Sequence, residues 1–251
     1  MNNNITIMED YTLPSLGKIY GKPFDPDIKL RSMTVAEEMK RLTNTDKPYK
    51  AMADIIESCM ETKIPVSIYD LCIGDYQYLL HKLRTVTYGP NYNVSLRCGI
   101  CGEITDTVIN LDDITVKTYT EEYDNLKTQI LPVSGDTVEL RFQTPRDLDG
   151  VENRRISLKK QFPEMDYDPS LMLNLETVIK TINGQVYDQT SLREYIRRME
   201  MRDSLLILEA GTKLNSQIGL ETDIPVKCSA CGSETVSPFR YTEEFFRPTF
   251  D

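Results

Sequence analysis

The sequence lacks the residues and motifs on which many enzymes depend. It contains a single histidine, His81, so a Ser-His-Asp or Cys-His catalytic arrangement would have to use that residue. His81 lies within a predicted amphipathic helix, and no nucleophile elbow is nearby. A glycine-rich phosphate loop and a His-Glu-x-x-His motif are also absent. We therefore predict that the protein is not an enzyme and has no small-molecule substrate.

Long apolar runs are absent too. A membrane-spanning helix needs about 20 apolar residues, whereas the densest run, Leu205 to Leu208, is followed at once by Glu209. The first ten residues are polar and acidic, unlike a secretory signal. We expect no membrane partner and synthesis in a reducing cytosol, where paired cysteines are more often metal ligands or redox groups than disulfides.

Basic residues are fewer than acidic residues, with 29 Lys and Arg against 39 Asp and Glu. The formal net charge of −10 disfavours nucleic acid as a partner unless basic residues gather on one face. Two basic clusters exist, but acidic residues lie among or beside both of them. We interpret them as solvated, internally paired helix faces, with contact to nucleic acid or to another protein as the less favoured alternatives. The clusters are Arg154, Arg155, Lys159 and Lys160, and Arg193, Arg197 and Arg198.

Prolines and glycines are concentrated near the start of the chain. They interrupt regular structure over residues 1–30, which predicts an extended N-terminal arm. Its apolar side chains would be buried either on a neighbouring subunit, which is the docking hypothesis, or on the protein's own core. These side chains are Leu13, Leu16, Ile19, Tyr20 and Phe24.

Helix signals follow the arm. Thr34 and Glu37 have capping-box spacing, which predicts a helix over about 35–43. Pro48 is typical of the first turn of a second helix, whose predicted inner face ends at Cys59. A third helix is predicted over about 74–88. In the second half we predict a helix over about 145–161 after Thr144, one after Pro169 that ends at Asn183-Gly184, and a helix or broken pair from a capping box at Ser191 and Glu194 to Gly211.

Strand patterns occupy the segments between these helices. Val94 and Leu96 alternate with polar residues and run into Cys98, and a partner strand is predicted near 104–111. The turn at residues 134–136 predicts a hairpin over 128–143 that connects the two halves. The predicted fold is thus α+β, with a 1–30 arm, a helical region over 31–127, the connecting hairpin over 128–143 and a second helical region over 144–251.

A short internal similarity supports two related halves. Asp75-Tyr76-x-x-Leu79-Leu80 precedes one cysteine pair, and Asp203-Ser204-x-x-Ile207-Leu208 precedes the other at nearly the same distance. Each half then has the order helix, loop, strand and cysteine turn. A duplication and a coincidence of common helix residues are the two alternative explanations.

Four of the six cysteines form a repeated motif with the spacing of a metal site. Both copies, Arg97-Cys98-Gly99-Ile100-Cys101-Gly102 and Lys227-Cys228-Ser229-Ala230-Cys231-Gly232, have the form basic-Cys-x-x-Cys-Gly. Two intervening residues let both sulfurs face one point, and four thiolates would fill the tetrahedral coordination of zinc. We predict one structural Zn²⁺ bound by Cys98, Cys101, Cys228 and Cys231, with a redox pair, unmetallated thiols or disulfides as the alternatives.

The remaining candidate ligands are interpreted as core residues. Cys59 and Cys72 lie among apolar residues without a partner motif, where a free cysteine behaves as a small hydrophobe. His81 has no cysteine or carboxylate motif beside it. None of the three is predicted to bind the metal.

An ordered set of short motifs over residues 13–111 resembles the baseplate hub proteins of T-even-like contractile-tailed bacteriophages. The set consists of Leu13-Pro14-Ser15-Leu16-Gly17-x-x-Tyr20, Leu30-Arg31-Ser32-Met33-Thr34 before Glu37-Glu38, Gly74-Asp75, Leu83-Arg84 with Thr87-Tyr88-Gly89, and the first cysteine turn. The resemblance implies a structural virion protein of the tail baseplate that binds other baseplate and tail proteins. It also implies synthesis and assembly in the bacterial host cytoplasm.

Two other functions are consistent with the sequence. A transient tail-assembly chaperone would share the resemblance but would be absent from finished particles. A nucleic-acid-binding zinc ribbon would share the cysteine motif but would bind DNA or RNA in a salt-sensitive manner.

Overall fold

The computed structural model describes residues 7–238 and 243–246. Helices and small sheets are mixed along the chain, in agreement with the predicted α+β class. The first part contains β1 (Met8–Thr12), β2 (Asp27–Arg31), α1 (Val35–Arg41), α2 (Pro48–Cys59), α3 (Ile73–Tyr88), β3 (Asn91–Arg97), β4 (Ile104–Asn110) and β5 (Val116–Lys117). The second contains β6 (Thr128–Ile130), β7 (Thr137–Leu140), α4 (Pro145–Gln161), α5 (Ser170–Val178), β8 (Ile179–Ile182), α6 (Gln189–Arg198), α7 (Met201–Asn215), β9 (Gly219–Leu220), β10 (Asp223–Lys227) and β11 (Glu234–Pro238).

The described strands form small antiparallel sheets. β1 pairs with β2, β3 with β4, and β10 with β11, while β7 lies between β6 and β8. β5, which follows the first half (β1 to β4), pairs with β9 near the end of the second half (β6 to β11). This pairing ties the connecting segment to the segment that leads into the second cysteine motif.

The chain forms two hydrophobic cores, one after the other along the sequence. The first is built mainly on α2 and α3, and the second on α5, α7 and the sheet β6-β7-β8. Phe245 and Phe246, close to the chain end, are buried in the first core rather than the second. These two residues therefore pack in the first half, although they follow the second half in the sequence.

The N-terminal segment belongs to the first core over its described part. The prediction that residues 1–30 hold no regular element is wrong, because β1 and β2 pair over five residues each. Leu13 and Leu30 are fully buried, and the Tyr20 hydroxyl donates to the Asp75 carboxylate at 2.6 Å. These contacts favour burial on the protein's own core over docking. Residues 1–6 lie outside the described residues, and the division into four regions stays a prediction.

Capping explains where several helices begin. Thr34 caps α1 and Thr144 caps α4, each in a capping box with the acid three residues later, as the sequence predicts. α2 and α3 begin and end within one residue of their predicted bounds. The predicted hairpin turn at residues 134–136 also joins two paired strands, β6 and β7.

Two helix predictions in the second half are wrong in detail. The helix after Pro169 ends at Val178, and residues 179–182 form β8 instead, because the β-branched run of this segment favours an extended strand against β7. α6 begins after Asp188, whose carboxylate accepts from the backbone N–H groups of Thr190 and Ser191. Ser191 therefore lies inside the helix and does not cap it.

Both halves repeat the same set of anchoring contacts. Asp75, at the start of α3, accepts from the backbone N–H of Ser15 after Leu13-Pro14. Asp203, at the start of α7, accepts from the backbone N–H of Val133 after Leu131-Pro132. The two capping boxes also each bind an arginine, in the pairs Arg31–Glu37 and Arg141–Asp147. The similarity predicted around Asp75 and Asp203 extends through each half, which supports a duplication.

The halves pack through the starts of α2 and α3. Asp149 of α4 accepts from the backbone N–H groups of Tyr49 and Lys50, so a side chain of the second half caps a helix of the first. Gly74 lies against the backbone of Ile218, leaving no room for a Cβ atom. These contacts join the first half to the second at places outside the cysteine-bearing hairpins.

Candidate metal centre

Each cysteine motif forms the turn of a two-stranded hairpin. Cys98 follows β3 and donates its N–H to the Glu103 carbonyl at 2.8 Å, and Cys228 follows β10 and donates to the Ser233 carbonyl at 2.9 Å. The glycine after each pair has a positive φ, +75° at Gly102 and +71° at Gly232, which favours glycine over other residues. The two turns therefore share one backbone conformation.

The turns bring all four predicted ligands together. The four sulfur atoms lie within 4.8 Å of one another. Across the turns, the sulfurs of Cys98 and Cys231 are 3.8 Å apart and those of Cys101 and Cys228 are 3.7 Å apart. A tetrahedral zinc site with Zn–S bonds of about 2.3 Å requires about 3.8 Å between sulfurs. The cluster is a candidate metal site, and its donor set fits zinc.

Hydrogen bonds distribute the protons unequally over these thiols. The Ser233 hydroxyl and the backbone N–H groups of the first turn lower the pKa of Cys98 to about 6. The pKa of Cys101 is raised to about 12: a hydrogen bond from the Glu103 backbone lowers it, but contacts with the other sulfurs outweigh that effect. Thiolates this close repel one another, so a cation would stabilise the fully deprotonated cluster.

Ser233 is a part of the cluster that the sequence motif does not identify. Its hydroxyl lies 2.9 Å from the Cys231 sulfur and 3.5 Å from the Cys98 sulfur. A hydroxyl donor at a thiolate lowers the basicity of that sulfur and orients it. The available signal was its place two residues after Cys231, where a residue of the turn can reach back to the sulfurs.

The other two cysteines and the histidine are core residues, as predicted. Cys59 and Cys72 are buried, and burial raises the pKa of both thiols. His81 is fully buried in α3, with Nε2 2.8 Å from the Leu111 carbonyl oxygen. Burial lowers the pKa of His81 to about 4, so the ring is neutral at physiological pH.

The two basic clusters are paired in part with nearby acids. Arg154 and Arg193, one from each cluster, both bind the Glu176 carboxylate at 2.8 Å. Arg155 pairs with Glu152 on the same helix. The paired-face interpretation therefore holds for these three arginines. Within the described part of the chain, no helix combines the length and apolar character needed to cross a membrane.

The fold is thus an α+β protein whose two repeated halves meet at one four-cysteine cluster. The chain matches the sequence model of the T4 bacteriophage base plate protein family over residues 6–247. It belongs to this family of phage baseplate structural proteins, whose place is the virion tail and whose contacts are with other tail or baseplate proteins. Comparisons with curated proteins and with solved structures found no match.

Proposed function

We propose that the chain is a non-catalytic structural component of the hub region of the tail baseplate, where it binds neighbouring subunits during assembly. The family match over residues 6–247 carries this proposal, because it spans both halves and the cysteine cluster. The motifs over residues 13–111 support the hub part of the proposal, since they resemble hub proteins of contractile tails.

The cysteine cluster would serve this role as one structural zinc site. Cys98, Cys101, Cys228 and Cys231 would fill all four tetrahedral positions and leave none for a catalytic water. Its ligands come from hairpins at distant points of the sequence, so the metal would join the two halves. A metal that holds the two halves in a fixed relative position would suit a subunit that must keep its shape within a particle.

Burial of the titratable groups supports the non-catalytic part of the proposal. His81 is neutral and fully buried, and the Asp75 carboxylate is buried among donors from the N-terminal segment. Burial raises the pKa of Asp75, but its oxygens anchor the Ser15 backbone and the Tyr20 hydroxyl. Both residues thus have structural contacts that account for their presence.

Quantitative mass spectrometry of purified phage particles tests the function. We expect the chain in finished tails at a fixed ratio to the other baseplate proteins, and loss of tail assembly when its gene is disrupted. A chain abundant in infected cells but missing from finished particles would identify a transient assembly chaperone instead. Salt-sensitive binding of the purified protein to DNA or RNA would favour the nucleic-acid alternative.

A further inference from the structure

Helix α1 presents an apolar face to solvent. Val35, Met39 and Leu42 follow one another at helical spacing and are exposed by 77%, 67% and 67%. Glu37, on another face of the same short helix, is buried and pairs with Arg31. Three large apolar side chains in one exposed row are unusual on a protein surface that has no partner.

In the second half, the corresponding face belongs to α4 and is covered. The capping boxes of α1 and α4 place Val35 in register with Pro145, and Met39 in register with Asp149. Both Pro145 and Asp149 are buried, because the first half packs on them. The face of α4 that corresponds to the exposed face of α1 is therefore an interface between the two halves.

Three segments of the first half form the surface that covers α4. Asp149 binds the backbone at the start of α2 and the hydroxyl of Tyr69 in the 3-10 helix Ile68–Asp70. Arg146 pairs with Asp70 of the same short helix. The start of α3 packs beside them, with the Ile73 N–H donating to the Gln143 carbonyl at 2.9 Å.

The corresponding surface of the second half is an open apolar groove. When Asp75 is aligned with Asp203, the start of α3 corresponds to the start of α7. The 3-10 helix of the first half then corresponds to the end of α6. The start of α5 corresponds to that of α2. These segments line a cavity of about 550 Å³. Its lining includes Tyr167, Leu171, Met172, Ile196, Met199 and Met201.

The chemistry of the two open surfaces is complementary. α2 has no side-chain cap of its own at Lys47 and depends on Asp149. At the start of α5, Asp168 already accepts from the Ser170 N–H at 2.9 Å, so a second carboxylate is not required there. Residue 39, which corresponds to Asp149 in the repeat, is a methionine. The exposed face of α1 is therefore apolar, and burying it in an apolar groove is favourable.

We propose that the chain associates with further copies of itself head to tail, with α1 of one copy seated in the α5–α7 groove of the next. The contact within each chain, between α4 and the first half, is the template for this contact between chains. Each copy carries one face and one groove, so the contact is heterologous and either closes a ring or extends a filament. This inference does not depend on entry of the chain into tails.

Sedimentation velocity on the full chain tests the proposal with one variant for each side. Wild-type protein should form larger species as its concentration rises. Met39→Asp on the face and Met201→Asp in the groove should each weaken self-association by more than about tenfold, because a charge would be buried in an apolar contact. Val186→Asp is the control, since Val186 is exposed by 80% outside both surfaces.

A mixture of the two variants is the decisive measurement. Met39→Asp protein retains its groove and Met201→Asp protein retains its face, so together they should form a one-to-one heterodimer and nothing larger. A mixture that stays monomeric, or wild-type protein that stays monomeric up to millimolar concentration, overturns the proposal. So does self-association of Met201→Asp as strong as that of wild type, which would indicate a face-to-face contact. Leu42→Asp and Leu171→Asp replace any variant whose melting curve shows that it does not fold.

Discussion

The two halves differ most where a repeated position is covered in one half and open in the other. Gly74 and Arg202 each precede the anchoring aspartate at the start of a helix, Asp75 in α3 and Asp203 in α7. A Cβ at residue 74 would lie 2.2 Å from the Ile218 carbonyl oxygen, whereas Arg202 is exposed. The helix start is the same in both, so the choice of residue follows from what packs on it.

The cores show a related difference. In the first core, the buried Arg84 guanidinium donates to the carbonyl oxygens of Gly89, Asn91 and Phe245, and lies over the Phe245 ring. The buried residues of the second core cluster are aliphatic throughout. The first half therefore uses a buried cation to bind its own backbone and Phe245, whereas the buried charge beside the second core is the Glu176 carboxylate, which Arg154 and Arg193 bind.

The largest expected effect tests whether both halves depend on one centre. Cys98→Ser and Cys228→Ser each remove one ligand from a different half, and both should abolish the binding of about one zinc per chain. Structural zinc contributes on the order of 10–16 kcal/mol in small peptides, so we expect Tm to fall by at least about 10 °C in both variants. Elemental analysis and calorimetry measure the two effects.

Two other variants serve as controls for the zinc measurement. Cys59→Ser and His81→Gln should keep the full zinc content, because neither residue belongs to the four-sulfur cluster. Zinc retained by Cys98→Ser, or lost by His81→Gln, would contradict the assigned ligand set. A ratio near zero in the wild-type protein prepared without chelators would contradict the metal itself.

The second test compares the covered and the open helix starts. Gly74→Ala should destabilise the protein by about 1–3 kcal/mol or more, because the new Cβ meets backbone that cannot rotate away. Arg202→Ala, at the equivalent exposed position, should change stability by less than about 0.5 kcal/mol. Chemical denaturation measures both, and equal effects would mean that the packing on Gly74 is not the cause of the difference.

The third test makes the same comparison on α4 and α1. Asp149→Ala should cost about 1–3 kcal/mol, because two backbone N–H groups and the Tyr69 hydroxyl lose their acceptor. Met39→Ala, measured at low protein concentration, should be close to neutral. If Asp149→Ala also left stability unchanged, water would be replacing the carboxylate. The capping of α2 by Asp149 would then contribute nothing to the free energy of unfolding.

Local signals in the sequence predicted the local structure well. The capping boxes at Thr34 and Thr144 mark true helix starts, because their hydrogen bonds close within four residues. The cysteine motifs likewise predicted the turns and their convergence, since two sulfurs from each turn together supply the four ligands of a tetrahedral metal. Ser191 failed as a cap because the helix already begins after Asp188, which accepts from the Thr190 and Ser191 N–H groups.

Long-range contacts could not be predicted in the same way. The burial of the N-terminal hairpin depends on Asp75, about 60 residues away, and the cap of α2 depends on Asp149, about 100 residues away. No local pattern around Pro48 indicates that its helix is capped by another half of the chain. Apart from the paired cysteine motifs, the long-range signal in the sequence was the repeat around Asp75 and Asp203, and it concerns similarity rather than contact.

The smallest expected effect is a pH dependence at the capping box of α1. The Arg31 guanidinium, together with the Thr34 hydroxyl and backbone N–H, lowers the pKa of Glu37 from 4.5 to about 2. Because the folded-state pKa lies below the unfolded one, the stabilisation is complete above about pH 4.5 and is lost as the pH falls toward 2. Glu37→Gln should therefore lower Tm modestly at neutral pH, and its difference from wild type should shrink on acidification. Zinc release in acid affects both proteins alike, so the difference between their Tm values is the quantity to measure. A difference that stays constant from neutral pH to about pH 2 would show that Glu37 acts by packing and capping rather than by its charge.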